Sequence, residues 1–378
     1  MNNLSIFIAL LGLTGYVLGI EVFDVEDIMG GGAKGVFNGL KVAVPNIGVN
    51  AVGQAVSKFD TALQAGALDA AYSNFAAKFK KNPANKGSKS TFKSNVLSVF
   101  EHNLNAKQGL ETFTMGVNPF SDLTLDEVRA KYTGALIPNI TRRDVFELMT
   151  PLRTPFGRRT VRAAAASKDW RQYGIVTPPK MQGSCGSCTD FAVTGGLESA
   201  MALYKGVRDL DLSEQELVDC PTGSGVGRCS GNWPEPIYDY MKSQGQTTEA
   251  QYRYEAKEGS CRASGKTKAA KVSNYYKTTK GDENMLKEWV STYGVHSVVI
   301  EVNSAFQGYR SGVMNSPCSN TRYDHSVLVV GYGSENNQDY WIVKNSWDTN
   351  WGDKGYIKMA RNANNLCLIA DYAILPQA

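Results

Sequence analysis

One cysteine in this chain stands where a thiol can become a nucleophile. Cys188 ends segment 182–188, QGSCGSC, and an apolar pattern of helical period follows over residues 191–204. A cysteine at a helix N-terminus lies near unpaired backbone N–H groups and the positive end of the helix dipole, which both favour the thiolate. Because a thiolate attacks carbonyl carbons, this position predicts a nucleophilic cysteine. The small residues Gly183 and Gly186 would let a substrate backbone approach it closely.

A nucleophile of this kind needs a base, and the chain has only three histidines. His102 lies in an upstream helical region, which leaves His296 and His325 as candidates. His325 follows Asp324 and opens an apolar strand pattern over residues 325–330, where an imidazole at the mouth of a strand can face a thiolate. A lone histidine is usually a surface or packing residue, so position alone leaves both interpretations open.

An amide side chain follows the next strand pattern. Segment 341–347, WIVKNSW, places Asn345 at the end of a strand, beside Trp347. An asparagine can accept a hydrogen bond from an imidazole and fix its tautomer, while the tryptophan would screen that bond from water. The alternative is a strand that ends in an asparagine turn beside a core tryptophan. The presence of Asn345 as a possible hydrogen-bond partner favours a catalytic role for His325.

The elements that must bring these residues together follow one order along the chain. The helical pattern that begins near Cys188 comes first, and strand patterns follow at 297–302, 325–330, 340–343 and 356–359. Helices early and strands late indicate an α+β protein with two lobes.

The seven cysteines all lie between residues 185 and 367. An odd count in an exported protein indicates three disulfides and one free thiol, although spacing alone does not determine the pairing. Export itself is predicted from residues 1–19, which are apolar over 4–18 and reach compact residues at a cleavage site near Gly19. We therefore expect the secretory pathway, with an extracellular or lysosomal destination.

The overall composition excludes some partners. The apolar fraction of 42% and charged fraction of 20% are ordinary for a soluble globular protein. A net charge of +4 without a dense run of Lys or Arg argues against nucleic acid as the main partner. After the signal segment no apolar run is long enough to span a bilayer, so we expect no stable membrane insertion.

The first half of the chain divides into an extension and a helical region. Residues 20–69 are rich in Gly and Ala, carry no motif, and are expected to form a flexible or weakly helical extension. Residues 70–134 contain apolar residues at three- and four-residue spacing over 72–79 and 92–100, which predicts two helices separated near Pro83.

Residues 135–162 are predicted to be a linker before a domain at 163–378. The linker contains basic pairs at 142–143 and 158–159, which are typical of exposed cleavage sites. Asn139 opens an Asn-Ile-Thr glycosylation acceptor, which again indicates an exposed loop in a secreted protein.

These motifs resemble those of papain and the cathepsins. The similar segments are DWR at 169–171, QGSCGSC at 182–188, DHSV at 324–327, NSW at 345–347 and WGDKGY at 351–356. A cysteine signature with a histidine and an asparagine far downstream is specific to this family. The resemblance implies a papain-like two-lobed α+β fold, with a helical lobe and a β-barrel-like lobe, and the activity of a cysteine endopeptidase.

The front half resembles the inhibitory propeptide of the cathepsin L group. The similar residues are Phe92, Asn95, Val99 and Asn103 of its long-helix motif, and Gly116, Asn118, Phe120 and Asp122 of its second motif. The Glu and Arg that open the helix motif are absent, since Ala84 and Ser88 stand there. The resemblance implies a zymogen whose helical propeptide blocks the cleft until it is removed.

The resemblance also implies roles by position. Cys188 would be the nucleophile, His325 its base and Asn345 the residue that orients the base, while Gln182 and the backbone N–H of Cys188 would form the oxyanion hole. The implied disulfides are Cys185–Cys229, Cys220–Cys261 and Cys318–Cys367. The implied substrate-binding residues are Gly231, Asn232, Trp233, Val299, Tyr323, Asp324, Ser326, Trp347 and Tyr372.

The resemblance further implies the partners. We expect protein or peptide substrates, the chain's own propeptide as an intramolecular inhibitor and inhibitors of the cystatin type, acting on a monomer. No cofactor and no metal is expected.

Three residues depart from the family pattern. Thr189 and Asp190 stand where the family has Trp-Ala, and Asn232 stands where it has a glycine that binds the substrate backbone. A carboxylate at Asp190 would raise the pKa of Cys188, whereas Thr189 predicts local repacking. Asn232 is expected to add a side chain beside the cleft. Tyr372 is expected to shorten the pocket for the residue before the cut, favouring medium apolar side chains.

Two other classes of protein compete with the peptidase. The three departures motivate a non-catalytic papain-like protein that binds or regulates. Segment 185–188 has the spacing of a redox pair, but the βαβ pattern expected around such a motif is missing, and zinc binding lacks a second cysteine pair or clustered histidines.

Overall fold

The computed structural model describes residues 20–45, 49–135 and 164–378. The predicted signal peptide, nearly all of the predicted linker and the glycosylation acceptor Asn139 lie outside these ranges. By its contacts the chain divides into two compact units. One comprises the residues up to Thr124 with Gly308–Arg310, and the other comprises Leu125–Gln307 with Ser311–Ala378.

The first unit combines a β-hairpin with helices. Its strands are β1 (Ile20–Asp24) and β2 (Lys41–Pro45), which pair antiparallel, and β3 (Phe113–Met115). Its helices are α1 (Val25–Met29), α2 (Val49–Ala62), α3 (Leu68–Phe79) and α4 (Lys86–Lys107). The two helices predicted around Pro83 correspond to α3 and α4. Between α2 and α3 the chain turns at Gly66, whose φ of 116° favours glycine.

Aromatic packing joins the extension to the helices downstream of it. Phe59 of α2 is fully buried, with its ring centroid 4.7 Å from that of Phe100 and 5.7 Å from that of Phe37. Val52, Ala55 and Phe59 repeat at three- and four-residue spacing and give α2 one apolar face. The extension is therefore folded into the core of this unit, not flexible as its composition suggested.

Hydrogen bonds hold the loop of the extension as well. One carboxylate oxygen of Glu26 accepts from the backbone N–H groups of Gly35, Phe37 and Asn38, at 2.8, 3.1 and 2.9 Å. Asn103 of α4 donates to the carbonyl of Ile28 at 2.7 Å. These bonds satisfy backbone groups that a glycine-rich loop would otherwise leave unpaired.

The second unit contains a mixed sheet and helices. Its helices are α5 (Leu125–Tyr132), α6 (Cys188–Lys205), α7 (Glu214–Asp219), α8 (Pro234–Ser243), α9 (Glu283–Tyr293) and α10 (Ser304–Gly308), whose last residue is assigned to the first unit. Its strands are β4 (Lys168–Asp169), β5 (Asn274–Lys277), β6 (His296–Ile300), β7 (Tyr309–Met314, whose first two residues are assigned to the first unit), β8 (His325–Glu335), β9 (Gln338–Lys344), β10 (Tyr356–Ala360) and β11 (Ala373–Gln377). The sheet order is β7-β10-β9-β8-β6-β11-β5, and β4 pairs with β8.

Helix α6 and strand β8 are the elements that position the predicted nucleophile and base. β8 is buried from His325 to Gly333, which explains its continuous apolar run over residues 327–330. α6 packs against β8 and β11, and most of its residues are buried. Both elements begin at a predicted catalytic residue. The predicted α+β class is confirmed, and none of the described helices is both long and apolar enough to cross a membrane.

Replacing the central aromatic residue of the extension tests whether the extension is structural. We expect Phe59→Ala to lower the free energy of unfolding of the first unit by about 3–5 kcal/mol, because it leaves a cavity among aromatic rings. Denaturant unfolding of the full-length chain measures the loss of stability, and limited proteolysis within residues 20–107 locates it. Gln54→Ala, at an exposed position of the same helix, is the matched control. Equal stability of both variants would contradict the fold described for the extension.

Candidate active site

The predicted nucleophile is the first residue of α6 and is completely buried. The backbone N–H of Ser326 donates to the sulfur of Cys188 at 3.3 Å, so the residue after His325 contacts the thiol directly. Cys188 is the free cysteine among the seven, all of which the structure describes. The others form Cys185–Cys229, Cys220–Cys261 and Cys318–Cys367, the pairing that the resemblance implied. Because Cys185 bonds to Cys229, the redox-pair interpretation is wrong.

The predicted base and its orienting residue are joined by a hydrogen bond. Nε2 of His325 lies 2.8 Å from Oδ1 of Asn345, which also accepts from the backbone N–H of Ser346 at 2.8 Å. The Trp347 ring centroid lies 4.9 Å from that of the imidazole and covers this bond. Nδ1 of His325 is buried without a hydrogen-bond partner among the described residues. With Asn345 accepting from Nε2–H, Nδ1 is the nitrogen left to take a proton.

Gln182 is held at the entrance to α6. Its side-chain nitrogen donates to the carbonyl of Cys185 at 2.9 Å, and its side-chain oxygen accepts from the hydroxyl of Ser346 at 2.6 Å. The amide is fully buried, so these two bonds fix its orientation. The second N–H of this amide remains for another acceptor.

Burial sets the protonation states of the thiol and the imidazole. Desolvation raises the pKa of Cys188 to about 12; the N–H of Ser326 opposes this shift, and the carboxyls of Asp190 and Asp324 add to it. Desolvation likewise lowers the pKa of His325 to about 4. The prediction that the helix N-terminus lowers the thiol pKa is therefore wrong for the form of the protein in which Cys188 is buried. There the loss of hydration outweighs the helix dipole.

A short segment at the end of α5 covers the thiol. We call residues 132–135, which begin with the last residue of α5, the strap. The N–H groups of Gly134 and Ala135 donate to the carbonyl of Asp324 at 2.8 and 3.1 Å, and the N–H of Asn232 donates to the carbonyl of Gly134 at 2.8 Å. The strap thus occupies backbone groups that the resemblance assigned to substrate.

The strap lies against the segment that precedes the nucleophile. A Cβ atom on Gly134 would lie only 2.1 Å from the carbonyl oxygen of Gly186, so the two backbones are in van der Waals contact. Trp347 donates its indole N–H to the carbonyl of Tyr132 at 2.9 Å. This contact leaves no space for a substrate backbone over Cys188, which explains its complete burial.

Arg129 of α5 anchors the strap. Its guanidinium donates to the carbonyl of Val302 at 2.6 Å and lies 3.2 Å from Oδ2 of Asp324 and 3.6 Å from Oε1 of Glu301. The Glu301 carboxylate is buried, so the loss of a cation there would leave a desolvated charge. Sequence reasoning missed Arg129, because nothing in the local pattern of an amphipathic helix marks one arginine as an anchor.

The predicted pocket residues come together beside the strap. Val299 and Tyr372 are buried in one apolar cluster with Cys188 and with Ala135 of the strap, and Trp233 and Tyr323 pack against that cluster. The indole N–H of Trp233 donates to the Tyr372 hydroxyl at 2.7 Å, and that hydroxyl donates to the Glu235 carboxylate. The Tyr323 hydroxyl donates to the Asp371 carboxylate at 2.6 Å. These bonds fix the tyrosine rings and leave apolar surface facing Ala135.

The three departures from the family pattern form one buried group. From its position the Asn232 side chain was expected to lie beside the cleft, and this prediction is wrong. The side chain is fully buried and donates to both carboxylate oxygens of Asp190 at 2.9 Å. The Thr189 hydroxyl bonds to the carbonyl of Asn232 and to the hydroxyl of Ser326, each at 2.9 Å. Polar partners turn these side chains inward, and this could not be predicted from the residue types one at a time.

Comparisons with known proteins agree with this geometry. The profile of the papain family cysteine protease matches residues 164–377, and that of the cathepsin propeptide inhibitor domain (I29) matches residues 72–128. The chain therefore belongs to the papain family of cysteine proteases and carries the propeptide of a zymogen.

Individual relatives extend over both parts of the chain. A cathepsin L-like proteinase of Fasciola hepatica is 43% identical over 283 residues, covering 75% of this chain and 84% of the relative. Digestive cysteine proteinase 2 of Homarus americanus is 43% identical over 288 residues, covering 75% and 86%. The solved structure of digestive procathepsin L 3 from the larval midgut of Tenebrio molitor is 34% identical, with a TM-score of 0.73 over 82% of this chain and 99% of that one. The predicted papain-like fold and the prediction of an autoinhibited cysteine peptidase precursor are confirmed.

The Arg129 contacts predict how tightly the strap is held. We expect Arg129→Ala to weaken strap docking by about 1–3 kcal/mol, which corresponds to roughly a 5- to 150-fold increase in residual activity of the uncleaved zymogen. Activity on a small fluorogenic peptide, measured before any cleaved product is detectable, reports this change.

Lys131→Ala is the matched control, since Lys131 is exposed on the same helix. Identical residual activity of the two variants would show that Arg129 does not anchor the strap.

Proposed function

We propose that the processed chain hydrolyses internal peptide bonds with Cys188 as nucleophile, His325 as general base and Asn345 as the orienting residue. The observation that carries the proposal is the 2.8 Å bond between His325 and Asn345, next to the contact of Ser326 with the Cys188 sulfur. The order of elements supports the same roles, because α6 and β8 begin at the nucleophile and at the base.

The reaction follows from the groups present. The Cys188 thiol transfers its proton to Nδ1 of His325, and the thiolate attacks the substrate carbonyl to form a C–S bond. The amide of Gln182 and the backbone N–H of Cys188 stabilise the oxyanion. The imidazolium then protonates the leaving amine as the C–N bond breaks. Water, deprotonated by His325, hydrolyses the thioester and releases the second product.

Removal of the strap supplies the switch between the two forms. In the covered form both groups are neutral, because charge separation in a dry volume is expensive. When water returns, desolvation no longer opposes the helix dipole, and the thiolate–imidazolium pair can form. We propose residues 1–19 as a signal peptide, 20–69 as an extension, 70–134 as the inhibitory domain, 135–162 as the cleaved linker and 163–378 as the mature peptidase.

The biological setting extends the proposal. Three disulfides favour an oxidising compartment, and we propose secretion or delivery to a lysosome. We further propose that the mature enzyme is a monomer open to inhibitors of the cystatin type, because the cleft that the strap occupies is formed within one unit of a single chain.

One specific observation favours a second candidate, a non-catalytic binding or regulatory protein. The carboxyl of Asp190 lies in the first turn of α6 and adds to the burial that raises the pKa of Cys188. If the pKa of Cys188 stayed high after processing, the thiol would remain protonated near neutral pH. The protein would then bind substrates without cleaving them.

Labelling of Cys188 separates the two candidates. In the zymogen a thiol with a pKa near 12 stays neutral at pH 7, so we expect slow alkylation that rises only at alkaline pH. After processing we expect the pKa to fall, moving the labelling profile toward acid and accelerating reaction with a papain-type epoxide inhibitor at pH 6 by about 100-fold or more.

Peptide mapping should place the label on Cys188, with loss in Cys188→Ala and a strong reduction in His325→Ala. A correctly folded, processed protein that remains unlabelled would establish the non-catalytic alternative.

The pocket predicts substrate preference. Tyr372 is held at the base of the pocket by Trp233 and Glu235, so medium apolar side chains such as Val or Leu should fit best as the residue before the cut, beside Val299. Tyr372→Ala should enlarge the pocket and raise the ratio of kcat/KM for Phe to kcat/KM for Val by roughly 10-fold, because the larger side chain then buries more apolar area. A peptide library measures the profile, and a preference for Arg in the unmodified enzyme would contradict the pocket assignment.

A further inference from the structure

The residues at which this chain departs from its family beside the nucleophile are partners of one another. We propose that Asp190 and Asn232 form a positioning pair that holds the substrate-binding backbone of Asn232 against the nucleophile helix. The inference rests on the proposed function, since it assigns these residues to the binding of a peptide substrate that Cys188 then cleaves.

The Asn232 side chain joins two parts of the protein. Its amide nitrogen donates to both oxygens of Asp190 in α6, each at 2.9 Å. Its amide oxygen accepts from the backbone N–H groups of Gly227 and Arg228, at 3.1 and 2.9 Å. Both Asn232 and Asp190 are fully buried, so water cannot replace these partners.

A second set of hydrogen bonds runs parallel to the first. The Thr189 hydroxyl donates its single hydrogen to the Asn232 carbonyl at 2.9 Å, and it therefore accepts from the Ser326 hydroxyl, also at 2.9 Å. The N–H of Ser326 donates to the Cys188 sulfur. The carbonyl of Asn232 is thereby linked through two hydroxyl groups to the residue that contacts the nucleophile.

These bonds fix the edge that a substrate would use. The N–H of Asn232 donates to the Gly134 carbonyl of the strap at 2.8 Å, and after removal of the strap it is available to a substrate carbonyl. A glycine at this position needs no side-chain support. An asparagine carries an amide that is costly to bury unpaired, and Asp190 alone would be a buried carboxylate without its amide donor. Each residue is therefore tolerated because the other is present.

The carboxyl of Asp190 serves here as the hydrogen-bond acceptor for the Asn232 amide. Burial raises the pKa of Asp190 well above its usual range, the amide of Asn232 opposes this shift and Glu214 adds to it. A neutral side chain of the same shape can still accept one hydrogen bond from Asn232, so Asp190→Asn should preserve the pair.

Two peptide substrates test the inference with enzyme obtained by processing of the full-length zymogen. One substrate has a single residue before the cut and does not reach Asn232, whereas the other has three. For Asp190→Ala we expect KM for the longer substrate to rise roughly 10-fold with kcat little changed, and the constants for the short substrate to stay within about 2-fold. Asp190→Asn should restore KM.

Three further variants complete the test. Asn232→Gly alone should raise KM for the longer substrate, while Asp190→Ala combined with Asn232→Gly should recover most of the loss, because neither buried group remains unpaired. Asp339→Ala removes a 2.7 Å bond to Asn362 and an ion pair with Arg361 at the far end of β9 from Asn345; it is the matched control and should leave KM and kcat for both substrates unchanged.

The outcomes are distinguishable. Equal losses on both substrates, no loss on either, or additive losses in the double variant would overturn the positioning pair. If Asp190→Ala does not fold, the double variant carries the test, and its failure to fold would also overturn the mutual dependence. If the unmodified processed enzyme cleaves neither substrate and Cys188 is not labelled, the proposed function itself fails.

Discussion

Desolvation of the Cys188 thiol and the His325 imidazole is the constraint around which the zymogen is organised. The first residue of α6 meets the start of β8, and the strap covers both with backbone contacts on either side. In this dry volume an ion pair is unfavourable, so burial holds the pKa of the thiol high and that of the imidazole low. In the proposed mechanism the strap therefore inhibits in two ways, since it fills the cleft and removes the water that the charged pair requires.

The proposed catalytic groups lie on parts of the chain that are far apart in sequence. β8 lies between β6 and β9, which places His325 beside Asn345, while the Cys185–Cys229 disulfide ties the segment before the nucleophile to the loop that carries Asn232. The strap uses the same loop and the same strand mouth. A small set of backbone groups thus serves first the inhibitor and, in the proposed mechanism, later the substrate.

Hydrogen bonds join the residues at which this chain departs from the family pattern. Thr189, Asp190 and Asn232 look unfavourable when each is considered alone, yet each supplies what another lacks. The N-terminal extension shows a similar dependence, because its glycine-rich loop is ordered by Glu26 and its helix by Phe59. In both places residue composition was a poor guide, since the stabilising partner lies elsewhere in the chain.

Local sequence determined the identity of the catalytic candidates and the elements that carry them. Cys188, His325 and Asn345 stand in specific motifs, and the periodicity that predicts α6 and β8 depends only on neighbouring residues. Only the tertiary structure decided the direction of the Asn232 side chain, the anchoring role of Arg129, the folding of the extension and the raised pKa of Cys188. Burial and the choice of a hydrogen-bond partner depend on residues brought together by the fold, and burial of Cys188 reverses the shift in thiol pKa expected from the helix N-terminus.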